Sequence, residues 1–121
     1  MTNGPTLLSA LESYLKLTTT REQDITANMA NVDTPGYRTR DIDFGWELQR
    51  AMTNTAGMSG SVQITPIARE VPGLMERPDG NNVSLDREGL LLSATQLQYQ
   101  MGVQLIKRHF HTLLSAINGG N

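Results

Sequence analysis

The chain contains no cysteine among its 121 residues, which excludes disulfide bonds and thiolate chemistry but leaves the redox compartment open. Aromatic residues make up only 5% of it, with a single tryptophan. The formal net charge is -2, so no basic field indicates nucleic acid or an anionic membrane surface as a partner. These absences argue against thiol-dependent, disulfide-stabilised and nucleic-acid-binding proteins.

Long apolar runs are also missing, since none approaches the roughly 18–20 residues that a membrane-spanning helix needs. Residues 1–15 carry no Lys or Arg, and Glu12 interrupts their apolar stretch, so the N-terminus is unlike a cleavable secretory signal. Taken alone, these residues favour a cytoplasmic protein with one small domain and a modest core.

Catalytic and metal-site patterns are lacking as well. His109 and His111 are two residues apart and would point to different faces of a helix, so they cannot hold one metal as an i, i+4 pair can. Asp86 and Glu88 diverge in the same way, which argues against an acid/base pair. With no phosphate-binding loop or nucleophile motif, we expect no enzyme activity, no cofactor and no metal.

Residues 5–32 predict one long amphipathic helix. Its 3-4 spacing is typical of a heptad seam that packs against another helix. The seam consists of Leu8, Leu11, Leu15, Thr18, Glu22, Ile25, Met29 and Val32. For the polar Thr18 and Glu22 two alternatives stay open: they face water at a weak point, or they meet polar groups on a neighbouring chain.

The helix is predicted to end in a sharp turn, because Thr34 precedes a proline and is pushed out of the helical region. Pro35 and Gly36 suit the second and third positions of a type II turn, and Asp33 can accept a hydrogen bond from the Gly36 N–H. From physics alone this is an ordinary helix stop.

Residues 33–81 are predicted to form a turn, an extended segment and a flexible loop, with little or no strand. Asp43 can cap a short helix from Phe44 to about Met52, which holds Trp46 as a local packing anchor. Residues 53–61 are small and polar, typical of a flexible loop, and residues 62–65 alternate like a short strand ended by Pro66.

Residues 82–118 predict a second long helix, capped by Ser84 and stopped by Gly119 and Gly120. It carries two apolar stripes on different sides. The first stripe is Leu92, Tyr99, Val103, Ile106, Phe110, Leu113 and Ile117, and the second is Leu90, Ala94, Leu97, Met101 and Leu105. Because one partner helix covers one stripe only, the other predicts assembly with further chains. Gly102 favours close approach of a neighbouring helix over mere tolerance.

We therefore expect an all-α protomer, a single domain over residues 1–121. Its two long terminal helices would form an antiparallel coiled-coil-like pair, joined by an extended, loop-rich middle.

Two motifs resemble those of flagellar basal-body rod and hook proteins. Asn28–Asn31 (Asn-Met-Ala-Asn), followed by Asp33–Tyr37 (Asp-Thr-Pro-Gly-Tyr), is similar to the signature of that family, which usually has Ile or Leu in place of Met. Asp79–Val83 with Leu85–Glu88 resembles the start of the C-terminal helix in proximal rod proteins, and Gln96–Tyr99 is similar too. The resemblance covers both ends of the chain and is weak over the middle.

The resemblance implies a structural subunit that polymerises helically into the proximal rod, the periplasmic drive shaft that transmits torque for motility. The implied partners are copies of itself, other rod proteins, and the rod adaptor, membrane ring and export gate of the flagellar base. It also implies type III export without a cleaved signal peptide. A cytoplasmic coiled-coil adaptor or export chaperone is the alternative.

Overall fold

The computed structural model describes residues 6–56 and 65–119, and this part of the chain is mostly helical. In chain order its elements are α1 (Leu7–Ala30), β1 (Arg40–Ile42), α2 (Phe44–Ala56), β2 (Ala68–Glu70) and α3 (Leu85–Asn118). The two long terminal helices expected from the sequence are confirmed.

Helix α1 is slightly shorter than the predicted range of 5–32. The side chain of Thr6 caps its start, with Oγ1 accepting the N–H of Ser9 at 3.0 Å. At the other end the N–H of Asn31 donates to two carbonyls of the last turn, those of Ala27 and Asn28. The helix therefore stops just before the Asp-Thr-Pro-Gly turn, as its proline requires. Pro5 lies outside the described residues.

Helix α3 begins and ends as expected. The Oγ of Ser84 accepts the N–H of Arg87 at 3.2 Å, and Gly119 follows the last helical residue. With 34 residues against the 24 of α1, α3 is longer by roughly 15 Å at 1.5 Å per residue.

The two long helices pack along buried positions that repeat every seven residues. These positions are Leu11, Thr18 and Ile25 on α1, and Glu88, Thr95 and Gly102 on α3. Such spacing is typical of paired helices. Thr18 is fully buried within the chain, and its hydroxyl donates to the Leu15 carbonyl at 2.7 Å, so it does not face water at a weak point. Glu22 is half-buried.

The middle of the chain contains a small sheet where little or no strand was expected. Strands β1 and β2 are antiparallel, and Asp41 pairs with Arg69 at the centre of the register. Ile42, the last residue of β1, is buried. Its partner segment lies 26 residues further on, at Ala68, so local periodicity could not indicate the pairing. Residues 62–64 of the predicted strand lie outside the described residues, and Thr65 has no regular structure.

Helix α2 begins as predicted, with Asp43 Oδ1 accepting the Trp46 N–H at 3.2 Å. It continues to Ala56, so residues 53–56 are helical rather than part of a loop, and residues 57–61 lie outside the described range. Buried Glu47 accepts the N–H of Ile67 at 2.8 Å. This bond fixes α2 to the segment that leads into β2.

Candidate functional site: a polar junction and an uncovered helix face

The turn after α1 has the predicted type II geometry. Gly36 has a φ of 77°, and the N–H of Tyr37 donates to the Thr34 carbonyl at 3.2 Å. The prediction that the Gly36 N–H donates a hydrogen bond to Asp33 is wrong. That N–H donates to the carbonyl of Asp79 at 2.9 Å instead, because the fold brings the second sequence motif directly against the turn.

Asn28 is fully buried and joins three elements through its side-chain amide. Its Nδ2 donates to the Arg40 carbonyl and to Glu88 Oε1, both at 2.7 Å. Its Oδ1 accepts the Arg40 N–H and the Tyr37 hydroxyl, both at 3.1 Å. All four hydrogen-bonding positions of the amide are thus used. The end of α1 is therefore a connection to β1 and α3 rather than an ordinary helix stop.

Asn81 and Asn82, in the second motif, complete this polar junction and are both buried. The Asn81 amide donates to the carbonyls of Asn31 and Thr34 at 2.9 and 2.8 Å, which satisfies groups left free where α1 ends. Asn82 Oδ1 accepts the Thr39 N–H at 2.6 Å. The two motifs, some fifty residues apart, therefore form one structure.

Glu88 is the charged centre of the junction. It lies in the first turn of α3 and is fully buried. Besides Asn28, Arg87 Nη1 donates to it at 2.6 Å. Arg87 also approaches Asp41, whose carboxylate accepts two hydrogen bonds from Arg21 at 2.9 and 3.1 Å. Alternating charges thus link α1, β1 and α3, an arrangement that fixes how these elements meet.

The face of α3 turned away from α1 is apolar and uncovered by the described part of the chain. At roughly 100° per residue, Leu97 and Met101 lie on the side of α3 opposite the buried line through Glu88 and Gly102. Their exposed fractions are 58% and 56%. They share one shallow, open surface with Gln100, Gln104, Leu105, Lys107, Arg108 and His111. Exposed apolar patches of this kind mark interaction sites.

No protein-family model matches the chain. It is 32% identical to the flagellar basal body rod protein FlgB of Salmonella typhimurium (strain LT2) over 126 residues, covering 91% of each chain. Identity and coverage are the same for FlgB of Escherichia coli (strain K12). For FlgB of Cereibacter sphaeroides identity is 36% over 118 residues, covering 87% of this chain and 88% of the relative. The chain belongs to the FlgB family.

This membership confirms the resemblance inferred from the two motifs. A member of the FlgB family is a structural component of the flagellar basal-body rod, and the relatives give no support to an adaptor or export chaperone. Within residues 6–56 and 65–119, no helix has the length and apolar character to cross a membrane.

In this FlgB-family chain, the signature residues at the end of α1 have separate places. Asn28 is buried at the junction, Tyr37 is half-buried beside it, and Asn31 bonds locally to the Ala27 carbonyl and the Thr34 hydroxyl. The remaining turn residues are exposed: Asp33, Thr34, Pro35 and Gly36.

The residues predicted to form an assembly seam divide into covered and uncovered sets. On α1, Leu11 and Ile25 are buried, while Leu8, Leu15 and Met29 are half-buried. On α3, the covered or half-covered residues are Leu92, Gly102, Val103 and Ile106, and the exposed residues are Leu97, Tyr99, Met101, Phe110, Leu113 and Ile117. A Cβ added to Gly102 would lie 2.6 Å from Leu15 Cδ2, so the close approach there is by the chain's own α1.

Sequence reasoning missed the centre of the α1–α3 contact because its α3 side is polar or small. Glu88 and Thr95 are fully buried, yet a search for apolar stripes passes over both. The seven-residue spacing from Glu88 through Thr95 to Gly102 is the signal that could have found them.

Asp24 is another unpredicted feature of α1. Burial raises the pKa of its carboxyl, and the nearby charge of Asp41 raises it further, against a smaller opposing effect from Arg40. Its Oδ2 is buried without a hydrogen-bond partner in the described part of the chain. Ionisation of the Asp24 carboxyl is therefore less favourable in the folded chain than in water.

Proposed function

We propose that this chain is a self-assembling subunit of the proximal rod, stacked helically with further copies into the drive shaft of the flagellum. Torque would pass through contacts between subunits, without enzymatic chemistry. The observation that carries the proposal is the outer face of α3, where Leu97 and Met101 are more than half exposed on a helix whose opposite side packs on α1.

The proposed protomer is a single rod-protein domain built on an antiparallel, coiled-coil-like pair of α1 and α3. Asn28, near the end of α1, meets Glu88 near the start of α3. Leu15, about three to four turns earlier on α1, lies against Gly102, about four turns later on α3. This order of contacts supports helices that run in opposite directions.

Burial of the outer face would favour polymerisation. At about 25 cal/mol per Å² of apolar surface, fully covering side chains such as Leu90, Leu97 and Met101 is worth several kcal/mol in sum. Much of that surface is still exposed to water in the single chain. Association with further subunits would recover this free energy.

We further propose a periplasmic position in the rod, reached by export without a cleaved signal peptide. The partners would be other copies of the chain, other rod proteins, and the rod adaptor, membrane ring and export gate at the flagellar base. Support for this set comes from the membership of a basal-body rod family.

The variant Leu97→Asp tests the proposal. The side chain is 58% exposed in the single chain, so the introduced charge should change the unfolding temperature of the isolated protein by no more than a few degrees. In a rod that excludes water from this face, an unpaired charge costs several kcal/mol. We expect a folded chain that does not support swimming on a motility plate.

Met75→Asp is the matched control, because Met75 is 91% exposed and lies outside the helices. It should leave both folding and swimming close to those of the unmodified chain. Undiminished swimming of the Leu97→Asp strain would contradict the proposal. Unfolding of the isolated variant would also contradict it, since that outcome requires the face to be buried within one chain.

A further inference from the structure

We propose that the outer face of α3 in one copy packs into a shallow groove on the outer face of α1 in the next copy. The inference rests on the proposed function, because it specifies which two surfaces meet when subunits assemble.

The first surface, here called the α1 groove, lies on the solvent side of α1. It is lined by Thr19, Glu22, Gln23, Thr26, Ala27 and Ala30. Apart from Glu22 and Gln23 these side chains are small, so the backbone of a second helix can come close there. All of these side chains come from α1 and are exposed, except that of Glu22, which lies next to the buried line through Thr18 and Ile25 and is half-buried.

The second surface, here called the α3 ridge, carries large apolar side chains. Leu97, Met101 and Leu105 are its large apolar side chains, each about half exposed, and Lys107, Arg108 and His111 lie towards its C-terminal end. Large side chains on one helix can fit between the side chains of a facing helix, and small residues on that facing helix leave room for them. Residues 19–30 of the groove extend about 16 Å along α1, and the ridge, from residue 97 to 111, extends somewhat further along α3, so the groove can be covered over its whole length.

The charges on the two surfaces are also complementary. In the described part of the chain, no acidic side chain pairs with Lys107 or Arg108, although the ridge exposes both. Within the same residues, the half-buried carboxylate of Glu22 has no cationic partner either. Contact between ridge and groove with the two helices antiparallel brings these opposite charges together, whereas contact between two ridges in parallel brings like charges together.

A ridge-to-groove contact also explains growth beyond a dimer. Two identical faces that meet form a closed, two-fold pair. When two different faces meet, each copy keeps one free ridge or one free groove, so that the next copy can add and an open helical filament results. Since α1 and α3 present these faces outward on separate helices, one chain can use both at once.

The absence of cysteine makes a direct cross-linking test possible. One tagged chain would carry Ala27→Cys in the groove, and a second, differently tagged chain would carry Met101→Cys on the ridge. Both would be produced in cells that also hold the unmodified chain, so that rods form. Isolated basal bodies would then be treated with a short bismaleimide.

We expect a cross-linked dimer that carries both tags in the mixed cells, and none when either cysteine variant is present alone. As a matched control, Met75→Cys would replace Met101→Cys. It should give no dimer with Ala27→Cys, although Met75 is the more exposed methionine.

A dimer of two Met101→Cys chains would overturn the inference, because it requires ridge against ridge. Basal bodies that contain both tagged chains but give no mixed dimer would overturn it as well. Absence of every form of the chain from basal bodies would instead refute the proposed function.

A charge exchange provides a second measurement that needs no reagent. Glu22→Lys alone and Arg108→Glu alone should each reduce swimming, since each places like charges in the contact. The double variant should swim better than either single variant. Additive losses in the double variant would contradict the pairing of these two surfaces.

Discussion

Asn28 offers the sharpest test of the polar junction, because one side chain there holds three elements together. Asn28→Ala removes donors to the Arg40 carbonyl and to Glu88, and an acceptor for the Tyr37 hydroxyl. Glu88 stays fully buried in the variant, and its remaining donor is Arg87. The variant therefore leaves a buried charge only partly compensated.

The magnitude follows from these bonds. A hydrogen bond to a charged group is worth about 1.5–3 kcal/mol and a neutral one about 0.5–1.5 kcal/mol, with a further cost for buried groups left unpaired. For the bonds of Asn28 the expected loss is roughly 3–5 kcal/mol. Small domains unfold at a cost of about 5–15 kcal/mol, so this is a large part of the total. The unfolding temperature should fall by roughly 10–25 °C.

Asn28→Asp keeps the shape of the side chain but replaces its donating amide nitrogen by a carboxylate oxygen. The new carboxylate would replace the amide that lies 2.7 Å from Glu88 Oε1, so two acceptors would face each other. Burial beside this charge raises the pKa of the introduced carboxyl above its unfolded value near 4. A raised pKa means that stability is highest at low pH and is lost as pH rises through it. The deficit should shrink from pH 8 to pH 5.

Circular dichroism during thermal unfolding measures both variants. The matched control is Asn31→Ala, whose amide makes only local bonds to Ala27 and Thr34 and should lower the unfolding temperature by a few degrees at most. If Asn28→Ala and Asn31→Ala unfold within about two degrees of each other, the junction does not stabilise the fold as argued.

Two further substitutions test the turn at Gly36 and the buried carboxyl of Asp24. Gly36→Val forces a β-branched residue into a φ of 77°, at a cost in backbone strain of about 1–3 kcal/mol. A Cβ at this position has no atom within 4 Å, so we expect strain rather than a clash to be the main effect. We expect near-normal helicity by circular dichroism but no swimming, and motile cells would contradict this. Because burial, and then the charge of Asp41, raise the pKa of Asp24, its ionisation opposes folding. The urea midpoint of Asp24→Asn should therefore rise relative to that of the unmodified chain from pH 4 to pH 7. A constant difference between the two midpoints would exclude that effect.

Local patterns were sufficient for the helices and for the turn. Ser84 marked the start of α3, Asp43 marked that of α2, and Pro35 with Gly36 specified the type II turn. Each signal acts within four residues along the chain, the range over which caps and turns form their bonds. Such features can be predicted from sequence without knowledge of tertiary contacts.

The junction could not be predicted in this way, because its bonds join residues far apart. Asn28 looked like part of a helix stop, and Glu88 was considered only beside Asp86, as a pair that diverges. Only the meeting of α1 with α3 gives each its partner. The β1–β2 pairing depends on long-range contact in the same manner, and hydrophobic periodicity cannot indicate a buried polar residue.

Asn28 and Glu88 are sixty positions apart in the sequence, and this separation also determines the order in which their contacts can form. When the chain is produced N-terminus first, α1 is present before α3. The side-chain amide of Asn28 then lacks its partner Glu88. The residues that enclose it follow only after the whole middle segment has passed, and such distant contacts form late in folding. Until then neither end has a finished surface, so the N-terminal half alone cannot present a complete subunit to a growing assembly.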